Sequence, residues 1–164
     1  EAMVRIAREI ETQRRVRSPA FDLAVGRRVE EGERWLAGGV EHRPARTEAA
    51  IAVAVNAAAE VLGAPLIVCF TSSGFTARIV ASYRPSVPIL AVTPEAETFR
   101  QLSLVWGVVP MQVDHFPSYD AMIAVARQKL LALKLASPGD RVVVTAGVPF
   151  DTPGTTNLLK IEAV

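Results

Sequence analysis

The sequence is short of the residues that many chemistries require. Cys69 is its only cysteine, so this chain cannot form an intramolecular disulfide or a thiolate metal cluster. Its 18 basic and 17 acidic side chains nearly cancel, which removes the positive field that gathers nucleic acid or acidic lipid. No apolar run reaches the length needed to cross a bilayer. We therefore expect a cytoplasmic protein without a nucleic-acid partner and without a membrane partner.

Motifs of nucleotide and metal chemistry are missing as well. The chain contains neither a Gly-x-x-x-x-Gly-Lys-Ser/Thr loop nor a Gly-x-Gly-x-x-Gly turn. His42 and His115 have no neighbours at metal-ligand spacing. The carboxylates are scattered through turns, where they act as caps and turn formers, and only Asp151 lies in a candidate site loop. We expect no catalytic residue, no metal site and no cofactor in this chain.

Charge divides the chain into two parts. More than half of the charged side chains fall within residues 1–48, and the remainder is apolar and regularly patterned. We predict an N-terminal helix and a charged helix and linker segment over residues 1–46, and an α/β domain over residues 47–164. The first helical pattern begins at Met3 without a capping residue. We interpret this as a chain cut from a longer one, although a chain trimmed deliberately would look the same.

Apolar runs alternate with amphipathic segments after residue 46. Pro110 cannot donate to a ladder, and the last segment alternates apolar and charged residues, so both strands belong at sheet edges. The repeated βα order predicts a three-layer α/β/α sandwich with binding loops at the carboxyl ends of its central strands. We predict helices over 47–62, 75–83, 94–107 and from 118, and strands over 65–70, 88–92, 108–113, 141–146 and 157–164.

The best candidate site lies where the first predicted strand ends and its helix begins. Free N–H groups at a helix start favour an anion, and a glycine there lets the backbone approach an oxyanion closely. A phosphate group matches this arrangement. The same residue types are also common in an ordinary helix cap and turn, and the pattern alone does not separate the two readings. The candidate residues are Thr71, Ser72, Ser73, Gly74 and Thr76.

A second loop, residues 148–156, follows the fourth predicted core strand and is rich in proline and glycine. We expect it either to close over a ligand or to form an ordinary connection to the last, antiparallel strand. Its candidate residues are Val148, Pro149, Asp151, Pro153, Gly154 and Thr155.

Several motifs occur in a characteristic order along residues 46–164. They include Arg46-Thr-Glu-Ala-Ala-Ile51, Thr71-Ser-Ser-Gly-Phe-Thr76, Leu104-Val-Trp-Gly107, and Thr145-Ala-Gly-Val-Pro149 with Gly154-Thr-Thr-Asn157. Together they resemble the C-terminal domain of pyruvate kinase. The resemblance implies a mixed five-stranded sheet of order 3-2-1-4-5 whose fifth strand is antiparallel. It also implies that residues 71–76 bind the phosphate of an allosteric effector, a sugar phosphate or AMP, and that the loop 148–156 closes on this effector.

The same resemblance sets limits on function. It places phosphoryl transfer, with its Mg²⁺ and K⁺ sites, in a separate barrel that nothing here matches. Met122 stands where bisphosphate-regulated relatives carry an arginine, and residues 16–45 fall outside the resemblance. We therefore expect a regulatory and subunit-contact domain of a homo-oligomer that contributes to glycolysis. The alternatives are a purely structural oligomerisation domain and a stand-alone α/β enzyme that uses Asp151 on a phosphorylated substrate.

Overall fold

A computed structural model describes residues 46–114, 118–148 and 155–164. They belong to one compact unit that spans Ala45–Val164. The predicted N-terminal helix and charged segment lie outside the described residues, apart from Arg46. Within the three described ranges, no helix is long and apolar enough to cross a membrane.

Helices and strands alternate along this unit, as the sequence predicts. The first helix ends at Gly63, whose φ of 59° allows its N–H to bond the carbonyls of Ala59 and Glu60. Thr47 is the first helical residue, and Arg46 occupies the cap position. The elements are α1 (Thr47–Leu62), β1 (Ile67–Phe70), α2 (Phe75–Ser82), β2 (Ile89–Thr93), α3 (Ala96–Leu102), β3 (Val108–Gln112), α4 (Tyr119–Ala132), β4 (Arg141–Ala146) and β5 (Leu158–Ala163).

The strands form one mixed sheet of order β3-β2-β1-β4-β5. Neighbouring strands are parallel except β4 and β5, which are antiparallel. This confirms the predicted topology, including the edge positions inferred from Pro110 and from residues 157–164.

The helices cover the two faces of the sheet unequally. α1, α2 and Leu102 of α3 pack on the face that carries Ile67 and Cys69. α4 packs on the opposite face, against Val68 and Phe70. The crossovers from β1 to β2 and from β2 to β3 therefore lie on one face, whereas the crossover into β4 lies on the other. This reversal creates a topological switch point between the carboxyl ends of β1 and β4.

The third helix is shorter than the sequence predicts. It ends at Leu102 and not near Gly107, because the chain tightens into a turn in which the N–H of Val105 bonds the Leu102 carbonyl at 3.0 Å. Trp106 lies in this turn and is exposed, with an exposed fraction of 63%. Its ring lies below the guanidinium of Arg84, at 5.7 Å from the ring centroid.

Near the end of β5, an acidic side chain is more buried than its apolar neighbour. Ile161 is 47% exposed, whereas the side chain of Glu162 is only 14% exposed. The Glu162 carboxylate accepts hydrogen bonds from Lys160 at 2.8 Å, from the Tyr119 hydroxyl at 3.1 Å and from Arg127 at 3.2 Å. A polar network therefore joins β5 to α4.

This network makes stability depend on pH. The hydrogen bond from Lys160, with the one from Tyr119, lowers the pKa of Glu162 below its ordinary value of 4.5. The folded state then binds this proton more weakly than the unfolded state. The contribution of Glu162 to stability is therefore fully present above pH 4.5 and is lost as pH falls through the lower, folded-state pKa.

We predict that Glu162→Gln lowers the free energy of unfolding at neutral pH by about 1 kcal/mol, since solvent screens the partly exposed Arg127 and Lys160. The variant should also lose less stability than the parent in acid. Urea unfolding at a series of pH values measures both effects. Glu60→Gln, at an exposed acid of α1, is the control and should leave the acid slope unchanged. If the free energy of unfolding of Glu162→Gln fell in acid as steeply as that of the parent, Glu162 would not be the source of this pH dependence.

Candidate anion-binding site

The predicted phosphate turn lies at the topological switch point. Residues 71–74 connect β1 to α2, and β1 has β2 on one side and β4 on the other. The connections leave toward opposite faces of the sheet, so a crevice opens outside the carboxyl ends of these strands. The fold thus places the turn where ligands bind in doubly wound α/β proteins.

Side chains hold the carbonyls of the turn in fixed directions. The Thr98 hydroxyl on α3 donates to the Ser72 carbonyl at 2.7 Å. The Arg78 guanidinium lies 3.4 Å from the Ser73 carbonyl, and the Gly74 N–H donates to the Thr71 hydroxyl at 2.9 Å. These side chains therefore occupy the carbonyls of Ser72 and Ser73 and the N–H of Gly74.

Several other backbone N–H groups of the turn and of the start of α2 have no acceptor among the described residues. In a trans peptide the carbonyl and the following N–H point in opposite directions, so the N–H of Ser73 points away from α3. Phe75 and Thr76 open α2, where N–H groups lack intrahelical acceptors, and no described residue accepts from either of them. The N–H groups of Ser73, Phe75 and Thr76 are called the donor set below.

Gly74 is required by the packing of this turn. Its φ is 79°, a backbone conformation that residues with a side chain rarely adopt. A Cβ there would lie 3.2 Å from a Leu102 methyl carbon and 3.3 Å from a Thr98 methyl carbon. Glycine therefore lets the turn press against α3, where Thr98 holds the Ser72 carbonyl.

The predicted hydroxyl donors separate into two groups. Ser72 and Ser73 are exposed, and Thr71 is half-buried. Thr76 is only 2% exposed, and its hydroxyl oxygen lies 2.9 Å from that of Thr156, which is 1% exposed. The turn therefore presents its serines to solvent, whereas Thr76 joins α2 to the segment before β5.

The base of the second predicted loop lies beside the turn. Pro149, Asp151, Pro153 and Gly154 are outside the described residues, so only the ends of this loop can be placed. At these ends, the Asn157 amide donates to the Val148 carbonyl at 2.6 Å and accepts from the Val148 N–H at 2.8 Å. A Cβ at Gly147 would collide with the carbonyl oxygen of Thr155, so the two ends are closely apposed. The Thr76–Thr156 contact brings this base to the turn.

Arg78 lies at this turn, although it is not among the candidates from the sequence. Its exposed guanidinium donates to the Gln101 side chain at 2.6 Å and approaches the Ser73 carbonyl. Arg78 follows Gly74 by four residues, and side chains at this spacing lie on the same face of a helix. That spacing was the signal in the sequence from which a position of Arg78 near the turn could have been predicted. The guanidinium adds a positive charge to a turn that otherwise offers neutral donors.

Among the described residues, other reactive groups do not gather at this site. Cys69 is fully buried in β1, and desolvation raises the pKa of its thiol far above the ordinary value, so the thiol is unreactive. In the part of the chain that the structure describes, no three His, Cys, Asp or Glu residues lie close enough to hold a metal ion.

Comparison with known proteins gives the chain its family. The family model described as "Pyruvate kinase, alpha/beta domain" matches residues 49–162. The chain belongs to the pyruvate kinase family. A pyruvate kinase of Agrobacterium vitis is 42% identical over 115 residues, which cover 70% of this chain and 24% of that protein. A pyruvate kinase of Clostridium acetobutylicum is 39% identical over 132 residues, which cover 80% of this chain and 28% of that protein.

Solved structures agree with this assignment. Two crystal structures of pyruvate kinase from Cryptosporidium parvum match with TM-scores of 0.67 and 0.65, at 30% and 28% identity. Each match covers 74% of this chain and 23% of the other chain. The chain thus has the fold of the pyruvate kinase alpha/beta domain, and it spans about a quarter of the length of these relatives.

The buried hydroxyl pair can be tested by a double-mutant cycle. We predict that Thr76→Val leaves the Thr156 hydroxyl buried and unpaired, which lowers the free energy of unfolding by about 1–3 kcal/mol. Thr156→Val should have a similar effect, and the double variant should lose less than the sum because the shape is kept and both polar groups are gone. Urea unfolding measures the cycle, with Ser72→Ala as an exposed control. Additive losses would mean that the two hydroxyls do not pair.

Proposed function

We propose that this chain is the regulatory and subunit-contact domain of a pyruvate kinase, and that it binds a phosphorylated small-molecule effector at residues 71–76. The observation that carries the proposal is the donor set at the switch point. The turn carries exposed Ser72 and Ser73 and N–H groups without an acceptor among the described residues, and the Arg78 guanidinium approaches it. Fold and charge both favour an anion there.

The donor set suits a phosphate group in particular. A phosphate presents several oxygens, each of which accepts hydrogen bonds from backbone N–H groups and hydroxyls. The positive end of the α2 dipole contributes about 0.3–1 kcal/mol toward a bound anion at an exposed site. Arginine adds a planar pair of donors that matches two phosphate oxygens.

A ligand with one phosphate fits better than a bisphosphate. Met122, which stands where bisphosphate-regulated relatives carry an arginine, packs half-buried against the core beneath α4. It cannot contribute the charge that a second phosphate would need. A sugar monophosphate or AMP is therefore the proposed class of effector. The family resemblance assigns catalysis, with Mg²⁺ and K⁺, to a separate barrel domain.

Ligand-dependent stability tests the effector site. We predict that AMP, a sugar monophosphate or inorganic phosphate raises the Tm of the 164-residue chain, because any ligand that binds the native state stabilises it. Arg78→Gln should weaken binding about tenfold, since one charge-assisted contact is lost, and Ser73→Ala should weaken it less. Thermal shift and calorimetry provide the readouts.

Arg141→Gln is the matched control for Arg78→Gln, because Arg141 is an exposed arginine at the opposite end of the sheet. It should leave binding unchanged. The absence of any Tm shift with millimolar phosphate ligands would overturn the effector proposal. Fructose 1,6-bisphosphate binding much more tightly than the monophosphates would overturn the preference for one phosphate.

A purely structural role in oligomerisation is a second candidate. It is favoured by a difference between the two edges of the sheet. At the β3 edge, Pro110 has no N–H and the Val108 N–H bonds the Val105 carbonyl, so little is left for a partner strand. β5 contains no proline, and within the described residues it pairs with β4 alone and exposes 47% of Ile161. A second copy of this chain fits the β5 edge better than the β3 edge.

We predict that Ile161→Lys shifts the chain toward the monomer in light scattering coupled to gel filtration. The lysine places a solvated charge where an apolar contact would form. Val109→Lys, at a residue of β3 that is 51% exposed, is the control and should not change the mass. A parent chain that is already monomeric would contradict the contact. A monomeric Ile161→Lys variant that still binds phosphate would show that the two roles are separate.

A further inference from the structure

One face of α3 packs against the phosphate turn. Thr98, Gln101 and Leu102 are three or four residues apart, so they share this face of the helix. The Thr98 hydroxyl donates to the Ser72 carbonyl at 2.7 Å, and a Cβ at Gly74 would lie 3.2 Å from a Leu102 methyl carbon. These contacts hold α3 against the turn, and Gln101 is therefore held beside the turn as well.

The Gln101 side chain joins a cation to an anion. Its oxygen accepts a hydrogen bond from the Arg78 guanidinium at 2.6 Å, and its nitrogen donates to the Glu97 carboxylate at 3.0 Å. An amide carries both an acceptor and donors, so it matches the cation on one side and the anion on the other. Among the ion pairs of the described residues, none joins Arg78 to Glu97. The amide thus holds the guanidinium without neutralising it.

Other side chains at position 101 would leave the Arg78 charge less available to a ligand. A glutamate there would pair with Arg78 and would place a second carboxylate four residues from Glu97 on α3. An apolar side chain would remove the amide between the guanidinium and the Glu97 carboxylate, so the two charged groups would be free to pair with each other. A guanidinium that is paired with a carboxylate must give up that pair before it binds a phosphate.

We propose that Gln101 is a positioning residue for the anion site, because its amide holds the Arg78 guanidinium at the phosphate turn and separates it from the Glu97 carboxylate. In this arrangement the guanidinium lies 3.4 Å from the Ser73 carbonyl. A guanidinium has five N–H donors, and its two contacts with Ser73 and Gln101 leave donors for an oxyanion. The inference rests on the proposed function, since Gln101 tunes the affinity of the same site.

Substitutions at residues 97 and 101 test this role in the full 164-residue chain, with AMP and inorganic phosphate as ligands in calorimetry. Gln101→Glu should weaken binding about tenfold, because the introduced carboxylate pairs with Arg78. Glu97→Gln keeps an acceptor for the Gln101 amide and should not weaken binding. The double variant of Gln101→Glu with Glu97→Gln has the net charge of the parent and should still bind about tenfold more weakly.

Gln128→Glu is the matched control, because Gln128 is an exposed glutamine of α4, on the other face of the sheet. It adds the same charge as Gln101→Glu and should leave the affinity unchanged. If the double variant bound as tightly as the parent, the net charge and not the pairing of Arg78 would decide the affinity, and the inference would be wrong.

The side-chain N–H signals of Arg78 test the positioning without a ligand. Gln101→Leu removes the acceptor at 2.6 Å, so these NMR signals should shift and exchange faster with water, whereas Glu97→Gln should leave them nearly unchanged. Arg78→Gln assigns the signals by removing them. Signals in Gln101→Leu that match those of the parent would overturn the inference.

Failure of this inference is distinguishable from failure of the proposed function. A parent chain that binds neither AMP nor phosphate would overturn the effector site, and with it the role of Gln101 in binding. A parent chain that binds them while Gln101→Glu binds equally well would overturn only the role of Gln101.

Discussion

The central strand β1 fixes where this domain can bind a ligand. All four of its residues are buried, and it pairs with β2 on one side and with β4 on the other. Neither its faces nor its edges can therefore meet a ligand, which leaves only its ends. At the carboxyl end the neighbouring connections leave toward opposite faces, and the crevice between them receives residues 71–74. The position of the turn thus follows from the burial of β1.

Distant parts of the chain hold the turn in place. Thr98, 26 residues away, holds the Ser72 carbonyl, and Thr156, 80 residues away, holds the Thr76 hydroxyl. Binding groups that are fixed beforehand lose little conformational entropy when a ligand arrives. The same contacts join the turn to α3 and to the base of the loop before β5. A change at the turn therefore acts directly on two other segments.

Local sequence patterns predicted the helices and strands well, because the signals for a helix or a strand depend on residues that are close in the sequence. The sheet edges followed from Pro110, which cannot donate to a ladder. The sequence could not show which side chains meet across the fold. Glu162 is mostly buried because α4 supplies its partners, and Thr76 is buried because Thr156 lies opposite. Asn56 is 3% exposed without a partner for its amide among the described residues, and no local pattern distinguishes it from a surface residue.

The candidate site was predictable as a turn but not as a charged site. The serines and glycine of residues 71–74 are visible in the sequence, whereas the role of Arg78 depends on where its side chain is held. Gln101 accepts from its guanidinium at 2.6 Å and donates to Glu97 at 3.0 Å. Arg78 forms no ion pair within the described residues, so its charge is oriented without being neutralised. A lysine at this position would keep the charge but not the planar fork that matches two phosphate oxygens. Position, charge and shape together, and not charge alone, make this residue suited to an oxyanion.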